Sequence, residues 1–250
     1  MNSYLKVFIA LIFLASSLYL FKEEIWTEPS STKTSNIDST KKFNAPDKKS
    51  NPINIKRINT QLADAKPTNK KQVLKDFLIA KGIFDGSSPI DISDIKTLTF
   101  KELSNLELIT VSHLPNLMEL NIAGTRVSEI ECLKSLQSLK HLDISNTTIT
   151  NLRALRDLPL KSLLMKNCSV RNYSSIGKIK TLEHLDLSDS SIEDISSFKD
   201  LESLTKLDIS NTKVSNLSAV IPLPNLKKLN YENSAVVIDS DNIELILRTR

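Results

Sequence analysis

Three histidines and two cysteines are the side chains of this sequence that are most able to perform chemistry. Two of the histidines begin the same motif, His-Leu-Asp, at His141–Asp143 and again at His184–Asp186. Alternation along a strand places the histidine and the aspartate of each motif on one face. If the motifs lie on strands of one sheet with a further strand between them, their backbones are roughly 10 Å apart, too far for a compact metal site. We therefore interpret both histidines as solvated and predict no metal site.

The remaining signals for chemistry are weak. The four glycines have neither the spacing of a phosphate-binding loop nor that of a dinucleotide fingerprint. The histidines and cysteines form no pattern that is typical of a catalytic site. We predict that the protein is not an enzyme and that it holds no cofactor.

The elements that position these side chains belong to a repeat. The pattern L-x-x-L-x-[LI]-x-x-[TSC]-x-[IV] occurs, approximately, seven times between Ile95 and Val236, at intervals of 22, 22, 21, 22, 22 and 22 residues. The units begin at Ile95, Leu117, Leu139, Leu160, Leu182, Leu204 and Leu226. With each first residue as position 1, positions 4, 6, 11, 14, 17 and 20 are apolar in nearly all units. This period predicts a solenoid in which each unit covers the apolar face of its neighbour.

Within each unit, polar and apolar residues alternate around positions 3 to 6, which predicts a short strand. Stacking aligns these strands in a parallel sheet on a concave side. The rest of each unit is too short for a long helix, so we expect extended or single-turn helical structure on the convex side. In the first unit, Asn105 occupies position 11, and Leu106 is the predicted apolar substitute. The fold class is an α/β solenoid with short parallel strands on its concave face and an N-terminal helical cap.

Position 9 holds a small polar residue or cysteine in six of the seven units. We expect this side chain to point inward and to satisfy backbone groups that water cannot reach. Cys168 stands at this position, whereas Cys132 stands at position 16 of a unit two repeats away. A disulfide needs Cα atoms about 4.4 to 6.8 Å apart, so we predict two free thiols.

The segment from Leu133 to Leu152 reads L-x-x-L-x-x-L-x-x-L-x-[LI]-x-x-[NT]-x-[IV]-x-x-[LI], which resembles the 22-residue bacterial leucine-rich repeats of the internalin type. The resemblance covers about residues 95 to 236. It implies a curved solenoid that is capped by an N-terminal helix and binds a protein partner on its concave face. In one departure from that family, Thr, Ser or Cys replaces the asparagine ladder at position 9.

Two columns of side chains are expected on the concave face. Position 3 reads Thr97, Glu119, His141, Ser162, His184, Lys206 and Lys228, and position 5 reads Thr99, Asn121, Asp143, Leu164, Asp186, Asp208 and Asn230. An acidic middle flanked by His and Lys suits a polar or basic protein partner. The scarcity of aromatic residues predicts modest affinity. The candidate partner-binding residues are Glu119, Asn121, His141, Asp143, His184, Asp186, Lys206, Asp208, Lys228 and Asn230; the alternative is a solvated face without function.

Residues 1–21 are predicted to be a signal peptide or an N-terminal membrane anchor. Lys6 precedes an apolar run from Val7 to Phe21, and Ala15 and Ser17 fit cleavage after Ser17. The run is near the lower limit for crossing a bilayer. If the segment is retained, the repeats lie in the cell envelope outside the cytoplasm; if it is cleaved, the protein is secreted or periplasmic.

Residues 22–69 are predicted to be a disordered basic tether, since they contain four prolines and no apolar periodicity. Residues 22–72 hold eleven Lys or Arg against six Asp or Glu, so residues 73–250 carry a net charge of −2 although the whole chain carries +4. Because the tether lacks a continuous basic run, we expect no nucleic-acid binding.

Both ends of the repeats, at residues 95–236, need a cover. Residues 70–94 are the predicted N-terminal cap, with a helix over 70–81 that Gly82 ends and that Thr68 or Asn69 caps. Its inward side chains are predicted to be Val73, Leu74, Phe77, Leu78 and Ile79, and Ile90 and Ile92 are predicted to add an edge strand. Residues 237–250 are the predicted C-terminal cap, a helix with inward Ile243, Ile246 and Leu247 that Ser240 or Asp241 caps.

These patterns predict an exported or membrane-tethered leucine-rich-repeat monomer that binds a protein partner through its concave face. The alternative is a structural or assembly component of the cell envelope that contacts its partners through other surfaces.

Overall fold

A computed structural model of the protein describes residues 67–84 and 91–249, with side chains in the first helix from Lys71 onward. Seven parallel strands form one sheet in chain order. They are β1 (Thr97–Thr99), β2 (Glu119–Asn121), β3 (His141–Asp143), β4 (Ser162–Leu164), β5 (His184–Asp186), β6 (Lys206–Asp208) and β7 (Lys228–Asn230). The predicted anchor over 1–21 and most of the predicted tether lie outside the described residues. Within the described ranges, no helix is long and apolar enough to cross a membrane.

The register of the sheet follows the repeat, because equivalent positions pair across every strand boundary. His141 pairs with Ser162 and Leu142 with Leu163, although the third unit is one residue shorter than the others. The ladder continues beyond the strands, where the N–H of Ile144 donates to the carbonyl of Leu164 at 2.9 Å. Backbone groups of each unit are therefore satisfied by the next unit, and a single unit cannot satisfy its own.

The core consists of the apolar positions of the repeat. Positions 1, 4, 6, 11, 14, 17 and 20 are buried in the second to sixth units without exception. In the last unit Tyr231 and Val236 are only half-buried, because no further unit covers them. The prediction of the inward positions is confirmed.

The segments that follow the strands carry short helical turns, as predicted. Four are 3-10 turns, at Glu131–Ser135, Arg153–Leu155, Ile176–Lys178 and Ser196–Asp200. The first unit differs, with an α-helix α2 over Asn105–Val111. The prediction for Leu106 is wrong: its side chain is 42% exposed, because helical spacing turns Leu108 and Val111 inward instead.

The N-terminal cap is the helix α1, Pro67–Ala80, which begins earlier than predicted. Thr68 and Asn69 therefore lie inside the helix and do not cap it; a proline suits the first helical position because its missing N–H needs no partner there. Gly82 ends the helix as predicted. It has φ of 69° and donates to the carbonyl of Ile79, while Ile83 donates to Leu78, the pattern of a Schellman motif.

The inward face of α1 is narrower than predicted. Val73, Leu74, Phe77 and Leu78 are buried, but Ile79 is 41% exposed, so its assignment is wrong. The predicted edge strand is also wrong at Ile92. This residue begins a 3-10 turn over Ile92–Asp94, and the side chain of Asp91 accepts a hydrogen bond from Ser93 there. Ile90 lies outside the described residues.

An ion pair joins the cap to the first unit. Lys81 Nζ lies 2.6 Å from Glu107 Oε1, and both side chains are largely buried. Glu107 also forms a capping box with Ser104 at the start of α2. Burial alone would raise the pKa of Glu107, but the hydrogen bonds from Lys81 and Ser104 outweigh it and hold the pKa below its ordinary value of 4.5.

The Lys81–Glu107 pair should make stability depend on pH. Because the folded-state pKa of Glu107 is lowered, its contribution is present above pH 4.5 and is lost as the pH falls through the folded-state pKa. We expect Glu107→Gln to reduce the free energy of unfolding at pH 7 by about 1 to 3 kcal/mol and to remove this part of the acid dependence. Urea unfolding between pH 3 and 7 measures both effects.

A matched control for Glu107→Gln is Glu131→Gln, which breaks the exposed ion pair between Glu131 and Lys134. We expect this change to cost less than about 0.5 kcal/mol. Equal losses in the two variants would contradict the structural role of the cap pair.

The C-terminal cap is the helix α3, Ile243–Arg248. Leu245 and Ile246 face the core, whereas Leu247 is 54% exposed, so its prediction as an inward residue is wrong. Neither predicted cap residue precedes the helix directly; the N-cap position belongs to Asn242, whose side chain accepts from Asp239 N and donates to the carbonyl of Val237. Asn242 thus secures the loop that leads into α3.

Candidate partner-binding face

The side chains at positions 3 and 5 of β1 to β7 form one surface, which we call the sheet face. The strand register places all ten candidate residues on it. Two of the candidates, Glu119 and Lys228, are exposed. Seven are half-buried: Asn121, His141, Asp143, His184, Asp186, Lys206 and Asn230. Asp208 is the exception, because only 4% of its surface is exposed.

Position 5 has a structural role that the sequence analysis missed. Asp143 Oδ1 accepts a hydrogen bond from the backbone N–H of Ser145 at 2.9 Å, and Asp186 Oδ1 accepts one from Ser188 at 2.8 Å. Asn121 makes the same bond through its amide oxygen. These are Asx turns, in which a short polar side chain satisfies the backbone where a strand ends. Asp or Asn at position 5 in five of the seven units was the available signal.

Each Asx turn uses only one carboxylate oxygen. Within the described part of the chain, Oδ2 of Asp143 and Oδ2 of Asp186 make no hydrogen bond. The two carboxylates lie on either side of Leu164, which occupies position 5 of the strand between them. The sheet face therefore presents two acceptor oxygens that flank a half-buried apolar side chain.

Asp208 differs from its two counterparts. Its Oδ1 accepts from the N–H and the hydroxyl of Ser210, and its Oδ2 accepts from Asn230 at 2.9 Å. Burial and the nearby carboxylate of Asp186 raise its pKa, although the hydrogen bonds oppose this. Both oxygens are engaged, so we leave Asp208 out of the proposed contact surface and assign it to the turn.

The two histidines of the sheet face lie on either side of Ser162, as the register requires. Burial and the charge of Lys206 lower the pKa of His184, which favours the neutral form of its imidazole. His141 Nδ1 is buried and has no hydrogen-bond partner in the described chain.

Glu183, which stands beside His184, was not among the predicted site residues. The hydrogen bond that Lys161 donates to it, at 2.7 Å, and the charge of that lysine lower the pKa of Glu183. Because the two charges pair, Glu183 and Lys161 together add no net charge beside the sheet face.

A second column of turn residues, at position 8, was also missed. Five residues of this column have φ between 53° and 57°: Asn146, Asn167, Asp189, Asn211 and Asn233. Gly124, at the same position of the second unit, has φ of 69°. This left-handed conformation favours glycine, asparagine and aspartate, which explains the composition of the column. Asparagine amides bond along it, from Asn167 Nδ2 to Asn146 Oδ1 at 3.0 Å and from Asn233 Nδ2 to Asn211 Oδ1 at 3.1 Å. Two exposed pairs of hydrogen-bonded asparagines therefore lie one position before the inward column.

Position 9 is inward and polar, as predicted. The hydroxyls of Thr125, Thr147, Thr212 and Ser234 each donate to the position 6 carbonyl of their own unit, at 2.6 to 2.7 Å. Cys168 Sγ donates instead to Ile144 O of the preceding unit at 3.2 Å, while Ser190 Oγ has no partner in the described chain. In all of these units except the fifth, the hydroxyl or thiol thus hydrogen-bonds a backbone carbonyl that water cannot reach.

Both cysteines are free thiols, as predicted. Burial raises the pKa of Cys168, and it raises the pKa of Cys132 to about 11. Thiols with such raised values stay protonated at neutral pH and are weak nucleophiles. Among residues 67–84 and 91–249, no group of three acidic, histidine or cysteine side chains is arranged to hold a metal ion.

Replacing the Asp143 side chain should separate its turn role from its charge. We expect Asp143→Ala to reduce the free energy of unfolding by about 1 kcal/mol, as the loss of a capping side chain does. Asp143→Asn keeps an oxygen for Ser145 N, as Asn121 does for Ala123 N, and should cost less than about 0.3 kcal/mol. Urea unfolding of the two variants checks this order; equal losses would mean that the hydrogen bond contributes nothing.

Comparison with known proteins gives the fold a context. The sequence matches no model of a known protein family. The structure is similar to internalin C2 from Listeria monocytogenes, with a TM-score of 0.51 and 21% identity over 69% of this chain and 88% of that one. It is also similar to a second Listeria monocytogenes internalin, with a TM-score of 0.51 and 18% identity over 74% of this chain and 60% of that one.

A leucine-rich-repeat protein from Leptospira interrogans is a third similar structure, with a TM-score of 0.51 and 20% identity over 63% of this chain. The match spans only 48% of that protein. These similarities agree with the seven-stranded parallel sheet and the buried repeat positions of this chain. The chain therefore has the leucine-rich-repeat fold of the internalin type.

Proposed function

We propose that the protein is a non-enzymatic binding module whose sheet face recognises a protein partner. The observation that carries the proposal is a pair of carboxylate oxygens, Oδ2 of Asp143 and Oδ2 of Asp186, that no described residue hydrogen-bonds, on a sheet face that buries Asp208. Lysine or arginine side chains are natural donors to such oxygens. The half-buried Leu164 between them offers an apolar contact at the centre of the patch.

The rest of the proposed contact surface lies around this acidic pair. Glu119, Asn121 and His141 precede it along the sheet, and His184, Lys206, Lys228 and Asn230 follow it. No arginine and no aromatic residue lies among these side chains, and hot spots of protein interfaces favour both. We therefore propose an affinity that depends strongly on salt, because charge carries more of it than apolar burial.

Partner capture by the full chain tests this proposal. Three proteins are immobilised and incubated with extract from the source cells and their surroundings. They are the wild type, the double variant Asp143→Asn with Asp186→Asn, and a control with Glu129→Gln and Glu244→Gln. The two doubles lose the same charge, but the controls are exposed residues away from the sheet face. We expect the partner bound by wild type and control to be reduced roughly tenfold on the Asn variant. Equal capture by all three proteins would reject the sheet face as the binding surface.

A structural or assembly role is the second candidate, and exposed apolar side chains at the C-terminal end favour it. Val237 is 71% exposed and Leu247 is 54% exposed, beside the last unit, which no further unit covers. Exposed apolar side chains at the end of the solenoid suit contact with another protein. A variant with Val237→Ser and Leu247→Ser that loses partner capture, while the Asn variant keeps it, would favour this candidate.

We also propose that the repeats act outside the cytoplasm, held at the cell envelope or released from it through residues 1–21. The support is the apolar run from Val7 to Phe21 behind Lys6. The N-terminal residue of the protein isolated from its source distinguishes a retained anchor from a cleaved signal. A mature chain that begins after Ser17 would show cleavage.

A further inference from the structure

A pocket with a strongly basic lining lies among the 3-10 turns of the third, fourth and fifth units. Five basic side chains line it, and we call it the basic pocket: Arg153, Arg156, Arg171, Lys178 and Lys199. Its volume is about 660 Å³, within the range of small-molecule sites. It is built from residues at positions 12 to 19 of the units and shares none with the sheet face.

Most of the positive charge of the basic pocket is left unpaired by the described residues. None of its five basic side chains forms an ion pair or a side-chain hydrogen bond with another described residue. The one carboxylate in the lining, Asp200, pairs at 3.1 Å with Lys180. That hydrogen bond lowers the pKa of Asp200, and Lys199 and Lys178 lower it further, as a positive surrounding field requires. The pocket thus has excess charge available for an anion.

The opening coincides with a shift in the repeat. The third unit is one residue shorter than the others, and its 3-10 turn occupies positions 15 to 17, whereas that of the fourth unit occupies positions 17 to 19. The turns of the second and third units pack together, as do those of the fourth and fifth, but those of the third and fourth make no comparable contact. The opening therefore lies where the turns of the third and fourth units, Arg153–Leu155 and Ile176–Lys178, stand at different positions of the repeat.

The polar walls of the pocket are held in place by local hydrogen bonds. Asn151 Oδ1 accepts from the N–H of Arg153 at 3.0 Å, and Asn172 Oδ1 accepts from the N–H of Ser174 at 2.8 Å. On the far wall, Gly177 lets the backbone carbonyl of Ser197 approach closely, so the turns of the fourth and fifth units are in direct backbone contact. Serine and asparagine side chains alternate with the basic ones, and no aromatic side chain is among the described residues of the lining.

We propose that the basic pocket binds a hydroxylated ligand that carries two or more phosphate or sulfate groups. Arginine forks match the oxygens of such groups, and arginines on both sides of the gap can hold two of them at once. Serine and asparagine side chains suit the hydroxyls of a sugar or polyol. The same chemistry occurs in a soluble phosphorylated polyol and in a phosphorylated lipid headgroup.

Titration calorimetry on the full chain tests the proposal. Inositol hexakisphosphate is the soluble probe, and phosphatidylcholine vesicles with and without phosphatidylinositol bisphosphate supply the headgroup. The test variant carries Arg153→Glu and Arg171→Glu, the control carries Lys101→Glu and Arg126→Glu on exposed residues outside the pocket, and a third protein carries Arg153→Gln and Arg171→Gln. Circular dichroism checks that all four proteins are folded.

We expect wild type and control to bind the probe alike, and both pocket variants to bind it at least tenfold more weakly. If wild type binds only the vesicles that contain the phosphorylated lipid, and the pocket variants lose this binding, the proposal is supported and the ligand is a lipid headgroup. Equal binding by the pocket and control variants, or no binding of either probe by wild type, overturns it. Partner capture through the sheet face should be unchanged in the pocket variants, so the two proposals fail separately.

Discussion

Phe198→Ala should reduce the free energy of unfolding by about 3 to 5 kcal/mol, the largest effect that we expect from one side chain. Phe198 is fully buried at position 17 of the fifth unit, inside the 3-10 turn Ser196–Asp200. Removing the ring leaves a cavity that rigid neighbours on both sides cannot fill. Because each unit depends on the next for its ladder, we expect the loss to destabilise the whole solenoid in one transition.

Urea unfolding monitored by circular dichroism measures the loss at Phe198. The control is Val237→Ala, which shortens a side chain that is 71% exposed and should change the free energy of unfolding by less than about 0.5 kcal/mol. A cost below about 1 kcal/mol for Phe198→Ala would contradict the packing described for the fifth unit. A biphasic unfolding curve would contradict the expectation that the whole solenoid unfolds in one transition.

Gly177→Ala should be the second most damaging small change, with a loss of about 1 to 3 kcal/mol. A Cβ at this position would lie 2.0 Å from the carbonyl oxygen of Ser197 and 2.8 Å from its carbonyl carbon. Both are backbone atoms, so no side-chain rotation relieves the clash, and the fourth and fifth turns must move apart.

Gly124→Asn is the matched control for Gly177→Ala. Gly124 has φ of 69°, and a Cβ added there would have no other atom of the described chain within 4 Å. Asparagine occupies the equivalent position in four other units, with φ of 53° to 56°. We expect a change of less than about 0.5 kcal/mol in the urea unfolding free energy. The reverse order of the two glycine variants would contradict the close approach at Gly177.

Repeat spacing made most of the fold predictable, because each inward position recurs in the same surroundings. Leu142 and Leu163 occupy the same place in successive units, so one pattern predicts both. Prediction failed where the surroundings change. Leu106 is exposed because the first unit forms a helix there, and Leu247 is exposed because α3 turns Leu245 inward instead.

The candidate site was predictable as a face but not in its detail. Alternation placed Asp143, Asp186 and Asp208 on the same side of the sheet, and the strand register agrees. Their different accessibility depends on the neighbouring strand, because Asn230 covers Asp208 and binds its second oxygen. The Asx turns and the left-handed position 8 were encoded by residue type, but their geometry follows from how a strand ends, which periodicity does not describe.

The most direct test of the proposed function is carbodiimide labelling of the carboxylates in the free protein and in its complex with the captured partner, followed by mass spectrometry. The sheet-face proposal predicts that Asp143 and Asp186 lose most of their labelling in the complex, while exposed Glu129 and Glu244 are labelled as in the free protein. Unchanged labelling of Asp143 and Asp186, with protection elsewhere, would contradict the proposal that the sheet face is the partner-binding surface.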